Sequence, residues 1–440
     1  MKKQWLLLFM LLLFGICIMS CGNQGDEISD TEPVITEPET TDPEITESET
    51  TKPEITEPAT TKPETTEPEA FFVKEAANIL KIPNGAKAII TITHDDGTMA
   101  TVEFLDEQYR KNNLRGTVCL IAKNFVTGTG DVNDAVVKKW APFFESGRFD
   151  VACHTYTHTF MGKTDQGDTG LVLYSNVDQR KVSNQNATIP AGNLTKEIVT
   201  SREVLMECFP EQRVLAFVKA GTPGYKDETG KFIQISPDAM ELIKENYIIM
   251  RNTTGGLKGA ALVEDIPAQD IYNVHSLQVS PSQTGKQWKQ YVDWAIEKNG
   301  WMTYLFHQIV DDAKAGGINV GKTAAAELFA YVGEKAASGE VWCAFLSEAA
   351  QYTEEYRCAK GTLEISSNLI KVTVTDTLND ALYDYPLTVL VNVPADWTEV
   401  TLTHADGTTE TLRSFVDGDK TSVYVNVVPD SGTATLRKVN

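Results

Sequence analysis

Between Ala86 and Phe345 the chain alternates short apolar runs with stretches of helical spacing, and this alternation constrains the fold more than any other feature. The runs are Ala86–Thr93, Gly116–Ala122, Asp150–Cys153, Val214–Val218, Tyr247–Met250, Trp301–Phe306 and Val341–Phe345. Runs of this kind read as strands buried on both faces, as in a parallel sheet covered by helices. Leu194, Ile198, Leu205 and Cys208 fall at helical spacing just ahead of Pro210. Trp288, Tyr291 and Ala295 mark another helix, with Gly300 expected at its C-cap. Seven or so strand–helix units over about 285 residues suit an α/β barrel spanning 71–358. After Cys358 the helical pattern stops. Period-two alternation in Thr362–Val374, Leu387–Val393, Val400–Thr403 and Val423–Val428, with a turn at Asp406-Gly407, predicts a small all-β sandwich over 359–440. Its expected role is to cap the barrel; glycan binding would fall to Tyr383, Tyr385 and Trp397.

The N-terminus carries an address. Lys2 and Lys3 precede an apolar run from Trp5 to Met19, the layout of a secretory signal peptide. Ile18-Met19-Ser20-Cys21-Gly22 resembles a bacterial lipobox, which makes 1–21 the signal and Cys21 the lipidated residue; an uncleaved membrane anchor is the alternative. Either way the chain is expected outside the cytoplasm, anchored to a bacterial membrane at the cell surface. Residues 31–70 are four in-register decamers, TEPVITEPET, TDPEITESET, TKPEITEPAT and TKPETTEPEA. Their prolines and like charges predict an uncored, extended linker over 22–70 that holds a domain away from the membrane.

That linker accounts for much of the charge. The chain has a net charge of −22, of which residues 22–70 supply −13. An acidic chain excludes nucleic acid as the partner, because phosphate binding needs a basic surface. One long apolar run excludes a polytopic membrane protein. Cys119, Cys153, Cys208, Cys343 and Cys358 are odd in number and widely spaced, so buried thiols are expected rather than a disulfide framework. Cys343 with Cys358 is the one pair to test for a bridge. No protein partner is implied.

Three predicted strands end in titratable residues. The first runs into His94-Asp95-Asp96-Gly97. Two adjacent carboxylates after a buried strand need compensation; a divalent cation would bind one and leave the other as a base, whereas a solvated turn is the simpler reading. The strand at Asp150–Cys153 runs into His154-Thr155-Tyr156-Thr157-His158, two imidazoles at a spacing that lets both reach one metal. Trp301–Phe306 ends in His307. Strand C-termini of a parallel barrel converge on one face, so these sets would meet there. Two His and one carboxylate leave a coordination position for water, as a hydrolytic site requires.

The order THDDG, HTYTH and LFH resembles the polysaccharide deacetylases, carbohydrate esterase family four, over roughly 75–355. The helix Asn193–Phe209 is similar too. The resemblance implies a distorted (β/α) barrel holding one divalent ion, zinc being the expected one. Asp96, His154 and His158 would be ligands, Asp95 the general base and His307 the general acid. The substrate would be an acetylated glycan, with N-acetylglucosamine polymers ahead of acetylxylan; a non-catalytic glycan-binding lipoprotein and a zinc scavenger are the rivals. His94 replaces the usual Phe and would either support the metal ligands from behind or face the substrate. The family's Arg-x-Pro is not recognisable in Phe217–Tyr225, where Lys219 would supply the positive charge as a point charge rather than a fork. Asp265 and Asp270 are candidates for the carboxylate behind His307. Gly162–Gly192 is a polar insertion expected to shape the cleft.

Overall fold

The computed structural model describes residues 72–158, 194–221, 225–226, 232–233 and 235–439. Cys21, the decamers and Gly162–Gly192 lie outside the described residues. The chain begins with two short strands, β1 (Val73–Ala76) and β2 (Asn78–Ile79), followed by β3 (Ala88–His94), every residue of which is buried. Then come α1 (Met99–Asn112), β4 (Gly116–Leu120), α2 (Asp134–Glu145), β5 (Phe149–Cys153), α3 (Ser201–Cys208), β6 (Ala216–Val218), α4 (Pro237–Asn246) and β7 (Ile249–Arg251). The succession ends with β8 (Leu277–Gln278), α5 (Gly285–Lys298), β9 (Trp301–Phe306), α6 (Lys322–Ala337), β10 (Val341–Ala344) and α7 (Leu346–Cys358).

The strands form one curled parallel sheet in the order β8-β9-β3-β4-β5-β6-β7. β10 pairs with the first half of β3, through Ala88–Thr91, whereas β4 takes only its last two residues. A single parallel bridge from Arg251 to Val274 links β7 to the segment leading into β8. This is the expected distorted barrel. The two-residue β8, its weakest strand, has no counterpart among the apolar runs of the sequence. The helices lie outside, and their inner faces (Leu105 and Tyr109, Ile243, Trp288 and Val292, Leu328 and Phe329) join the strands in one core.

The all-β region is a sandwich. One sheet contains β11 (Lys360–Ile365), β12 (Ile370–Thr375), β14 (Glu399–Thr403), β15 (Thr409–Arg413) and β18 (Thr433–Lys438); the other contains β13 (Leu387–Val393), β16 (Phe415–Asp417) and β17 (Lys420–Val427). Val372, Val374, Val389, Val391, Val425 and Leu436 meet between them. Both sheets also recruit strands from ahead of the barrel: β1 pairs with β11 and β2 with β13, each antiparallel. Trp397 is in the sandwich core, and Tyr385 packs against Trp342 and Tyr352 at the junction with the barrel. Both aromatics are held in packing contacts.

One local expectation is corrected. The left-handed C-cap of α5 is Asn299 (φ 48°) rather than Gly300. Gly300 is needed for space instead, since a Cβ there would approach Val263 and the Glu264 carbonyl at 2.5 and 2.7 Å. Cys343 and Cys358 are free thiols. Cys343 is on β10 and Cys358 ends α7, whose 13 residues span about 20 Å, beyond disulfide reach. Among the described residues no helix is long and apolar enough to cross a membrane.

Candidate active site

β3 ends where its backbone must change direction. Asp95 N–H donates to Phe306 O at 2.8 Å, the last rung to β9. Asp96 and Gly97 then both adopt left-handed backbone, at φ 70° and 62°. Asp tolerates that region and Gly prefers it; a Cβ at Gly97 would also meet Leu120 at 2.7 Å. The reversal places the Asp95 and Asp96 carboxylates together in the barrel mouth.

β5 delivers the imidazoles in a similar way. The turn after it bends at Thr155 (φ 65°) and His158 (φ 61°), the former a strained conformation for a β-branched residue. The turn is held by a residue the sequence reading missed. Buried Glu197, on the π-turn Lys196–Thr200, accepts from Thr157 N–H at 2.8 Å and Thr157 Oγ1 at 2.7 Å. It lies on a face that helical spacing alone marks as polar.

The ligand atoms converge. His158 Nε2 and His154 Nε2 lie 3.4 and 3.6 Å from Asp96 Oδ1. Two ligand atoms at 2.0–2.1 Å from a tetrahedral ion are themselves about 3.4 Å apart, so the spacing suits a first-row divalent cation. His154 Nδ1 is 2.9 Å from Val218 O; a carbonyl only accepts, so Nδ1 carries the proton and Nε2 presents its lone pair. Burial lowers His154 to about 3 and His158 in the same direction, leaving both imidazoles neutral, as ligands must be. Asp96 Oδ1 is buried without a hydrogen-bond donor. Burial and the neighbouring Asp95 charge push Asp96 up to about 6. An acceptor in that position fits a cation, and the three residues are the one group among those described that could hold a metal.

Asp95 is in a different state. Burial alone would raise it, but the fully buried Arg251 guanidinium holds it well below the usual carboxylate range. Arg251 Nη2 donates to Asp95 Oδ1 at 2.5 Å, and Nη1 donates to Ser276 Oγ at 3.2 Å. This corrects the expectation for Lys219. Lys219 is buried, yet its ammonium donates to Gly221 O at 2.5 Å, and burial lowers it to about 7. The charge on Asp95 comes from the next strand, where Arg251 is in register with Val218. A usable signal was present, since Arg251 terminates an apolar run as His154 and His307 do.

His307 follows β9 directly, where Phe306 is in register with His94 and accepts from Asp95 N–H, so it stands at the same strand end as the two aspartates. His94 is wholly buried and held down to about 4 by that burial, which excludes contact with substrate. Asp265 accepts from Gln269 at an exposed site and Asp270 caps the Tyr272 N–H, so neither takes the place expected behind His307.

No family model matches the chain. A gellan lyase from Bacillus sp is 23% identical over 278 residues, covering 57% of this chain and 10% of that protein. The chain thus spans about a tenth of the length of that relative. Among solved structures, a family 4 acetyl xylan esterase from Clostridium thermocellum, in complex with cobalt, overlaps 59% of this chain and 89% of its own at 13% identity and a TM-score of 0.33. A family 4 carbohydrate esterase from Streptomyces lividans, in complex with acetate, overlaps 58% and 92% at 13% identity, TM-score 0.31. A family 4 pseudoenzyme from Bacillus anthracis overlaps 61% and 66% at 11% identity, TM-score 0.34. The barrel is similar to these carbohydrate esterases. What its site can do follows from its own side chains.

Proposed function

We propose that the chain is a metal-dependent hydrolase that removes acetyl groups from a carbohydrate, with N-acetylglucosamine polymers as first substrate and acetylated xylan as second. The observation that carries this reading is the ionised Asp95–Arg251 pair set beside a three-residue cation site in the barrel mouth. Asp96, His154 and His158 would hold the cation, zinc by the choice of donors, which supplies carbonyl polarisation and an acidified water.

Asp95 is the general base. Arg251 keeps it ionised and fixes one carboxylate oxygen, leaving the other toward the ligand cluster, 3.9 Å from His154 Nε2. His307 is the general acid that returns a proton to the departing amine or hydroxyl. Arg251 also weakens the rival reading of a glycan-binding module on a decayed site, which drew its force from a missing guanidinium. The lipobox at Cys21 and the acidic linker support a surface-tethered enzyme.

Acetate release from N-acetylglucosamine oligomers, peptidoglycan and acetylated xylan tests the proposal, with Asp95→Asn and chelated protein alongside. Release that disappears in both controls is expected, and the best substrate separates N- from O-acetyl. Folded, metal-loaded protein that frees no acetate from any of the three refutes it.

A further inference from the structure

α5 has three faces, and the third is only partly covered. Trp288, Val292 and Ala295 face the barrel core. Lys289 and Asp293 face α6, through Glu327 and the Tyr331 hydroxyl. Along the third face Gln283, Lys286, Gln287, Gln290, Tyr291 and Trp294 line a hollow of about 280 Å³. Tyr291 and Trp294 meet edge to face with centroids 4.9 Å apart; each packs on the core by one side, Trp294 also beside Gly259, and each leaves the rest of its ring exposed.

The polar lining is chemically one-sided. Gln283 Oε1 accepts from Trp288 Nε1 at 3.0 Å, and Gln287 Oε1 accepts from Thr284 N–H at 2.8 Å in the capping box of α5. Both partners can only donate, so the amide orientations are forced and each glutamine has its NH₂ group left to offer. Lys286 adds an ammonium. In a chain of net charge −22 this hollow contains no carboxylate. A ligand complementary to it is rich in oxygen acceptors, uncharged or anionic, and has an apolar ring face to lay on Tyr291 and Trp294.

We infer that this face of α5 is a second glycan-binding site, which takes acetylated pyranose chains through ring stacking on Tyr291 and Trp294 and through donors from Gln283, Lys286 and Gln287. Position supports the assignment. α5 leaves the C-terminal end of β8, so Gln283 and Lys286 lie at the rim where Asp95 and His307 sit, and Trp294 lies about 16 Å down the outer wall. A polymer crossing the mouth continues onto it. The inference rests on a carbohydrate being the substrate.

The test uses the full chain and two variants. Trp294→Ala removes the stacking surface. Gln287→Glu keeps an N3 capping acceptor, and so the helix, while deleting the NH₂ donor. Binding to insoluble N-acetylglucosamine polymer and to acetylated xylan is expected to weaken about fivefold to tenfold for Trp294→Ala and about threefold for Gln287→Glu. Acetate release from an N-acetylglucosamine dimer is expected to stay within about twofold, since a dimer cannot reach from mouth to wall. Polymer binding unchanged in both variants, or no glycan binding by the parent chain, overturns the inference. Polymer binding that depends on Trp294, in a chain that frees no acetate from any glycan, leaves this site standing and overturns the deacetylase reading instead.

Discussion

The two ends of the barrel each hold an aspartate in or just after a strand, Asp95 buried and Asp150 half-buried, and they treat it in opposite ways. At the mouth, Asp95 meets the Arg251 guanidinium and stays ionised. At the floor, Asp150 on β5 accepts from the Ser347 hydroxyl at 2.6 Å, and burial pushes it up to about 7. An arginine lies nearby there too. Arg115, however, is committed to Glu348 through contacts of 2.5 and 2.6 Å. Burial therefore does not decide the charge of a carboxylate here; the availability of an uncommitted guanidinium does. The mouth holds a charge ready for chemistry, whereas the floor neutralises its acid by binding a proton.

The sharpest way to break the contrast is at Asp95. Asp95→Asn keeps the shape and removes the base, and kcat is expected to fall by about 10²–10⁴-fold in acetate-release assays. His154→Ala should come next. Metal analysis of the purified variant is expected to show the bound divalent ion lost; retention of the ion would refute the ligand assignment. Arg251→Gln turns the mouth into a second floor. With the guanidinium gone, burial raises Asp95, so the base is protonated at higher pH. The acid limb of the pH–kcat/KM profile should then move upward, with a loss of about 10–100-fold near neutrality. An unmoved acid limb would show that Arg251 does not set the state of Asp95.

The smallest effect is at the floor. Asp150 has a folded value above its ordinary 3.8, so the fold prefers its neutral form. That preference contributes stability in full below pH ~4 and is lost as pH rises through about 7. Urea unfolding should show the parent chain weakening by about 1–2 kcal/mol between pH 5 and 8, with a shallower slope for Asp150→Asn. Equal slopes would refute the assignment.

The strand ends were legible because buried parallel strands leave long apolar runs, and their following residues face the mouth by topology alone. That logic located Asp95, Asp96, His154, His158 and His307 without any contact information. It passed over Arg251, although that residue ends the run Tyr247–Met250, because nothing in the sequence shows a pairing between positions 156 apart in the chain. Lys219 looked better placed in sequence, yet its ammonium turns to its own loop. Glu197 was invisible for a different reason. A helix surface marks carboxylates as solvent-facing, and only the fold shows that Thr157 lies against it. β1 and β2 went unread because VKEA and NI carry no apolar alternation of their own; their partners come from the far end of the chain.

That last pairing bears on how the protein is made. β1 joins Val73 to Ile365, so its partner is synthesised about 290 residues later, roughly 15–60 s at ordinary elongation rates. Throughout that interval β1 and β2 are without their sheet partners. The sandwich is thus a clasp built on strands made after Cys358, and a nascent chain stalled there would hold β1 and β2 with no sheet to join.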